Sequence, residues 1–141
     1  MDPTALIPHR PPFLFVDRLC AYDAAHAEAE LDVRAALPLA ADGTLSAFLA
    51  AEALAQTAAA HAGALARDAA DTAGAAPPGA HRGAFVRLEA FEAPGTARAG
   101  DTLRLVVTLD RAFGALRRYR GEAWVGEALV ARGTFTFATA P

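Results

Sequence analysis

"SAFLAAEALAQTAAAHAGALARD", residues 46 to 68, is the stretch that decides the fold. No residue in it breaks a helix strongly, and Thr44 or Ser46 can cap its first turn. Its side chains are small and apolar nearly all round, which is typical of a helix surrounded by protein. At 1.5 Å per residue the helix would be roughly 34 Å long. Alanine on every face would let a sheet approach closely.

Candidate strands precede and follow this helix in the sequence. Residues 26–33 alternate cleanly between polar and apolar side chains, which predicts a half-exposed strand, and residues 23–25 would form a hairpin turn before it. A second tight hairpin is expected at "VGEA", residues 125–128. Residues 37–46 are expected to form a loop and residues 69–83 a surface linker. The remaining predicted strands, rich in branched and aromatic residues, are 13–22, 84–93, 101–112, 115–126 and 127–138.

Strands grouped after a helix predict an α+β protein with an antiparallel sheet. One helix can be apolar all round only if the sheet curls about it. The expected fold class is therefore an antiparallel sheet of five to six strands wrapped around one long central helix, the hotdog fold. Its 141 residues suit a single domain over 1–141 with a substantial core.

Composition excludes several classes of function. All 13 basic residues are arginine and the net charge is −3, so nothing favours nucleic-acid binding. Residues 45–66 are the longest candidate membrane segment, but a carboxylate in mid-span costs about 3 kcal/mol, so no span is expected. Cys20 is the single cysteine, and the first residues lack a secretion-signal pattern, so we expect a cytoplasmic protein. Four scattered histidines predict no metal site.

Two short motifs carry a resemblance to a known family. "LIPHRPPFLFVDR", residues 6–18, resembles the opening signature of the 3-hydroxyacyl-acyl-carrier-protein dehydratases, and "EALAQ", residues 52–56, resembles the start of their central helix. Residues 99–111 and 118–138 are similar to their last three strands. The chain looks closest to a divergent branch, the dehydratase-like hotdog proteins of aryl-polyene pigment clusters.

One element of the family pattern is missing. Family members carry a catalytic histidine in the loop before the helix, and its place here falls near residues 37–39, where no histidine stands. The resemblance implies dehydration of a 3-hydroxyacyl thioester to a 2-enoyl thioester. It also implies a site built across a subunit interface, so the chain either forms a homo-oligomer or takes the missing histidine from a second hotdog subunit. No bound cofactor is implied, because an acyl carrier protein presents the substrate on phosphopantetheine.

The resemblance implies two catalytic candidates, Glu52 and His9. A lone carboxylate on an alanine-rich helix should be desolvated, which favours its protonated form and suits a general acid. Without the resemblance, Glu52 could equally face a wet dimer seam or pair with an arginine. His9 is placed near the mouth of the acyl tunnel. It either replaces the missing base or is a structural histidine that donates to a backbone carbonyl.

Four further residues are candidates for substrate binding. Gln56 shares a helix face with Glu52, where it could orient the carboxylate, bind substrate or satisfy a buried backbone group. Arg10 could meet the carrier's phosphate or form a salt bridge, with Asp17 as one partner. Phe13 and Leu49 could line an acyl tunnel, and the amides of residues 46–49 could stabilise charge on the thioester oxygen.

The remaining polar residues favour simpler interpretations. His61 lies half a turn out of phase with Glu52, and His26 and His81 are expected at the surface. Residues 117–120 carry three arginines, best explained by a solvated strand face, although an acidic carrier protein could dock there.

Two alternative functions stay open. They are a hotdog thioesterase and a non-catalytic subunit of a dehydratase complex.

Overall fold

The computed structural model describes residues 1–79 and 83–139. Six strands form one antiparallel sheet in the order β1-β2-β4-β5-β6-β3, and a single long helix crosses it. This arrangement confirms the predicted α+β hotdog class. The elements are a 3-10 turn at Pro3–Ala5, β1 at Arg18–Tyr22, β2 at His26–Asp32, α1 at Ala47–Thr72, β3 at Gly83–Glu92, β4 at Thr102–Phe113, β5 at Leu116–Val125 and β6 at Ala128–Thr139.

Helix α1 begins as predicted and ends later than predicted. The hydroxyl of Ser46 caps it by accepting a hydrogen bond from the backbone N–H of Phe48. The helix continues to Thr72, because residues 69–72 include two alanines, the best helix former, and no breaker. Gly74 then adopts a φ of +66°, which favours glycine, and the helix stops. The predicted linker is therefore shorter by its first four residues, and its residues 80–82 lie outside the described chain.

The sheet packs closely against the small side chains of α1. Leu54 of the helix and Phe135 of β6 meet at Gly121 of β5, where an added Cβ would lie 3.0 Å from the Phe135 ring. Both Leu54 and Phe135 are fully buried. A glycine at this position lets the helix approach the middle of the sheet, as the alanine-rich surface of the helix does elsewhere.

The first predicted strand is wrong over its N-terminal half. Residues 13–17 are not in a strand, and β1 begins only at Arg18. The side-chain amide of Gln56 hydrogen-bonds to the carbonyl of Phe13 and to the N–H of Phe15, so these backbone groups are not available to a neighbouring strand. The segment still contributes to the core, because Phe15 and Val16 are buried.

The other predicted strands agree with the structure to within one residue at each end. Strand β2 alternates as predicted, with Ala27, Ala29 and Leu31 buried, and its turn from β1 falls on residues 23–25. The hairpin between β5 and β6 turns at Gly126, whose φ is +57°. None of the helices in the described chain is long and apolar enough to span a membrane.

Strand β3 forms one edge of the sheet and pairs only with β6. Its other edge faces solvent in the single chain. Three large apolar side chains are exposed there, namely Phe85, Val86 and Leu88. An exposed apolar edge strand is a surface that natural proteins normally cover or pair.

Candidate active site

A cavity opens between α1 and the adjoining ends of β3, β5 and β6. Its empty space is about 630 Å³, part of which is open to solvent. Pro8 and His9 also border it. The helix contributes Glu52, Ala55, Gln56, Ala58, Ala59 and Ala62, and the sheet contributes Gly83, Phe85, Arg117, Tyr119, Phe137 and Thr139.

Gln56 connects the catalytic candidate on the helix to the N-terminal segment. Its Nε2 donates to the carboxylate of Glu52 at 3.0 Å and to the carbonyl of Phe13 at 2.8 Å. Its Oε1 accepts from the N–H of Phe15 at 2.8 Å. Gln56 is only 1% exposed, so its amide lies away from water. Gln56 thus orients the carboxylate and satisfies two backbone groups at once.

The structure brings His9 beside Glu52. The Nε2 of His9 lies 3.7 Å from Oε1 of Glu52, and the two side chains are 36% and 45% exposed. The desolvation predicted for Glu52 is therefore absent in the single chain, because the carboxylate stands at the open end of the cavity. Nδ1 of His9 is buried and has no hydrogen-bond partner among the described residues. The interpretation of His9 as a structural histidine that donates to a carbonyl is wrong here.

Arg10 does not pair with Asp17. The carboxylate of Asp17 instead contacts the guanidinium of Arg34 at 2.9 Å. The guanidinium of Arg10 donates to three backbone carbonyls, those of Ile7, His9 and Thr4. The predicted salt bridge was therefore wrong, and contact between Arg10 and a phosphate stays a prediction.

Two further groups of candidates lie away from this cavity in the single chain, and their roles stay predictions. Phe13 and Leu49 do not border the cavity: Phe13 is 70% exposed, and Leu49 packs against the core from the first turn of α1. The amides of Phe48 and Leu49 are already bound by the hydroxyl and the carbonyl of Ser46. Residues 46–49 do not border the cavity, so the predicted charge stabilisation there is not supported.

The far wall of the cavity holds a residue that the sequence prediction missed. Tyr119 is fully buried, and burial raises the pKa of its hydroxyl to about 12. Its hydroxyl lies 3.0 Å from Nδ1 of His61, whose Nε2 lies 2.7 Å from the carbonyl of Asp23. A carbonyl only accepts, so Nε2 carries the proton and Tyr119 donates to Nδ1. As predicted, His61 points away from the Glu52 site.

The alternation of β5 was the signal that could have found Tyr119. Residues 119, 121 and 123 are buried, whereas Arg118 and Arg120 face outward, where both contact Asp110. The prediction of a solvated face holds for these two arginines. Arg117 lies on the inner face with Tyr119 and borders the cavity. His26 is exposed as predicted, and His81 lies outside the described residues.

A protein-family model, ApeP-like, described as ApeP dehydratase, matches residues 1–138. The chain belongs to this family. The family match confirms the resemblance to divergent hotdog dehydratases on which the sequence interpretation rests. No curated protein sequence is similar enough to the chain to count as a relative.

Solved structures share the fold at low sequence identity. The dehydratase heterocomplex ApeI:P from Xenorhabdus doucetiae matches with a TM-score of 0.84 and 16% identity, over 100% of this chain and 92% of that chain. A hypothetical thioesterase with coenzyme A from Streptococcus pneumoniae matches with a TM-score of 0.69 and 11% identity, covering 87% and 84%. A mutant thioesterase from Pseudomonas aeruginosa matches at 0.63 and 12% identity, covering 88% and 81%.

Proposed function

We propose that the chain dehydrates 3-hydroxyacyl thioesters carried by an acyl carrier protein, in fatty-acid-type or polyene-type biosynthesis. The observation that carries this proposal is the convergence of Glu52, Gln56 and His9 at one end of a cavity whose walls are otherwise mainly alanine and aromatic rings. Such a cavity suits an apolar acyl chain, and its polar end suits the reacting carbons. The family match supports the same class of reaction.

The chemistry assigned to the site needs one base and one acid. Nε2 of His9 takes the proton from the α-carbon, and the carboxylic acid of Glu52 protonates the leaving hydroxyl, so that water departs and the C2–C3 double bond forms. The proton on His9 then returns to Glu52, directly or through solvent. The two groups lie 3.7 Å apart without substrate, and catalytic hydrogen bonds often reach their final geometry only when substrate binds. Gln56 holds the carboxylate in place throughout.

A second hotdog subunit is proposed to complete the site. Glu52 is half exposed, the nearby Phe48 is 85% exposed, and the apolar edge of β3 lacks a neighbouring strand in the single chain. The structural match to a dehydratase heterocomplex supports an unlike partner over a second copy. Covering the open end would exclude water from Glu52 and strengthen its interactions with substrate.

The partner proposal is tested at strand β3. Val86→Lys places a charge on the edge that would face the partner, and charged residues on edge strands prevent strand pairing. We expect the variant to lose any hotdog protein that co-purifies with the wild-type chain. Phe113→Lys is the control, since Phe113 is an exposed aromatic at the β4–β5 turn, away from that edge. Equal loss in both variants, or in neither, would contradict pairing through β3.

The activity is tested with the chain alone and in complex with that partner. Formation of a 2-enoyl thioester from a 3-hydroxyacyl carrier substrate should be weak for the chain alone and strong for the complex. His9→Ala in the complex decides the source of the base. A loss of about 100-fold is expected if His9 is the base. Full activity of that variant would assign the base to the partner.

Thioester hydrolysis is the second candidate, since a helix carboxylate can activate water. The thioesterases among the structural matches favour it. The same reactions distinguish the two candidates, because hydrolysis releases a free thiol whereas dehydration leaves the thioester intact. Thiol release without enoyl product would replace the dehydratase proposal. Unchanged turnover after Glu52→Ala in the complex would instead make the chain a non-catalytic subunit.

A further inference from the structure

The segment that carries His9 has little regular structure to hold it. Between the 3-10 turn at Pro3–Ala5 and the start of β1 at Arg18 the chain forms only turns and bends. The imidazole makes no hydrogen bond that would fix it, because Nδ1 has no partner among the described residues and Nε2 is 3.7 Å from Glu52. The position of the ring therefore depends on the backbone at residue 9.

The guanidinium of Arg10 holds that backbone. Its Nη1 donates to the carbonyls of His9 at 2.7 Å and Ile7 at 2.9 Å, and its Nη2 donates to the carbonyl of Thr4 at 3.1 Å. The planar fork of an arginine, with five N–H donors, can serve three carbonyls in this way. Within residues 1–79 and 83–139 no carboxylate lies in ion-pair range of Arg10. Three of its five N–H donors thus bind the turn that presents His9.

The other side of the segment is fixed by the helix. Gln56 binds the carbonyl of Phe13 and the N–H of Phe15, and the same amide binds Glu52. His9 therefore lies between two anchored stretches, residues 4–7 held by Arg10 and residues 13–15 held by Gln56. Gln56 orients the carboxylate of Glu52. Arg10 is placed to orient the imidazole of His9 opposite that carboxylate.

We propose that Arg10 is a positioning residue that places the His9 imidazole against the Glu52 carboxylate, a role that rests on the proposed function. In Arg10→Ala the three carbonyls lose their donor and the turn relaxes. We expect kcat of the complex to fall about 100-fold while KM for the carrier-bound substrate stays within about twofold, since small displacements of a reacting group act on the chemical step. Millimolar guanidinium, below denaturing concentrations, should restore part of kcat.

The His9 ring supplies a readout that needs no turnover. With histidine labelled by carbon-13 and nitrogen-15, the His9 resonances of the isolated chain should shift and broaden in Arg10→Ala and recover with guanidinium. Arg67→Ala is the matched control, because Arg67 also donates to a backbone carbonyl of the segment, that of Ala5 at 3.4 Å, but not next to His9. It should change neither kcat nor the His9 resonances.

Three results would overturn the proposal. They are unchanged His9 resonances in Arg10→Ala, a loss of activity that Arg67→Ala reproduces, or a rise in KM for carrier-bound substrate at constant kcat. The last result would assign Arg10 to the phosphate of the carrier instead. If the wild-type complex forms no enoyl product at all, the proposed function fails, and the resonances still decide whether Arg10 positions His9.

Discussion

At the scale of single residues, Gln56 joins three parts of the site through one buried amide. Gln56→Leu keeps a similar volume but leaves the N–H of Phe15 and the carbonyl of Phe13 without partners. Each unsatisfied buried group costs about 1–3 kcal/mol, so we expect the free energy of unfolding to fall by about 2–4 kcal/mol. Urea unfolding measures it. A change below about 1 kcal/mol would show that water replaces the amide and that Gln56 does not anchor the segment.

His61 predicts how stability depends on pH. Burial lowers the pKa of its imidazole, while hydrogen bonding to the Asp23 carbonyl acts in the opposite direction. The unfolded chain protonates this residue at a pKa of about 6.5. Below that pH the unfolded state binds the extra proton, so the free energy of unfolding should decrease as the pH falls from about 7 towards the lowered pKa. The contribution is fully present above pH 6.5.

Unfolding curves of wild type and His61→Gln across this range check the prediction. The variant should show a smaller decrease in the free energy of unfolding, because the glutamine amide does not titrate. Equal slopes in wild type and His61→Gln would show that burial of this imidazole does not govern acid stability.

At the scale of elements, α1 presents two kinds of alanine. Ala59 borders the cavity and is half buried, whereas its neighbour Ala60 is fully buried in the core and does not border the cavity. Ala59→Leu should extend into empty space, cost less than about 1 kcal/mol of stability and hinder longer acyl chains. Ala60→Leu should overpack the core and cost about 1–3 kcal/mol.

Thermal unfolding of both variants, with KM for short and long acyl substrates measured for Ala59→Leu, tests this assignment. The pair is matched in chemistry and adjacent in sequence, so helix propensity cannot explain a difference. Equal destabilisation by the two substitutions would contradict the position assigned to the cavity.

The elements that were predictable are those whose side chains repeat with a clear period. The alternation of residues 26–33 and the alanine-rich segment that begins at Ser46 predicted β2 and the start of α1, because burial on one face is a local property of the pattern. The end of α1 was less predictable, since alanine at 69 and 70 suits a helix as well as a small-residue linker.

The parts that failed depend on contacts between distant residues. "FLFVD", residues 13–17, has the composition of a strand. However, Gln56, more than 40 positions away, hydrogen-bonds to the carbonyl of Phe13 and the N–H of Phe15. In the site, the spacing of Glu52 and Gln56 predicted that their side chains share one helix face. The approach of His9 to Glu52 could not be predicted, because it depends on a turn whose carbonyls bind Arg10. Tyr119 stands between arginines, and the burial of alternate residues along β5 shows that its face points inward.

At the scale of the whole molecule, the chain leaves the proposed site and one edge of the sheet open to solvent. Glu52 is half exposed, and among the described residues strand β3 pairs only with β6. Because the proposed site opens to solvent and β3 leaves an apolar edge free, we expect the chain to work in an assembly. The partner would cover the open end of the cavity and the edge of β3.

The most direct test of this account is the rate of 2-enoyl thioester formation by the purified complex that contains Glu52→Gln. The substitution removes the acid and keeps the shape of the side chain, and Glu127→Gln at an exposed glutamate is the control. We predict that the Glu52 variant still assembles with its partner and loses activity by about 100-fold or more. An assembled Glu52→Gln complex with the wild-type rate would contradict the account.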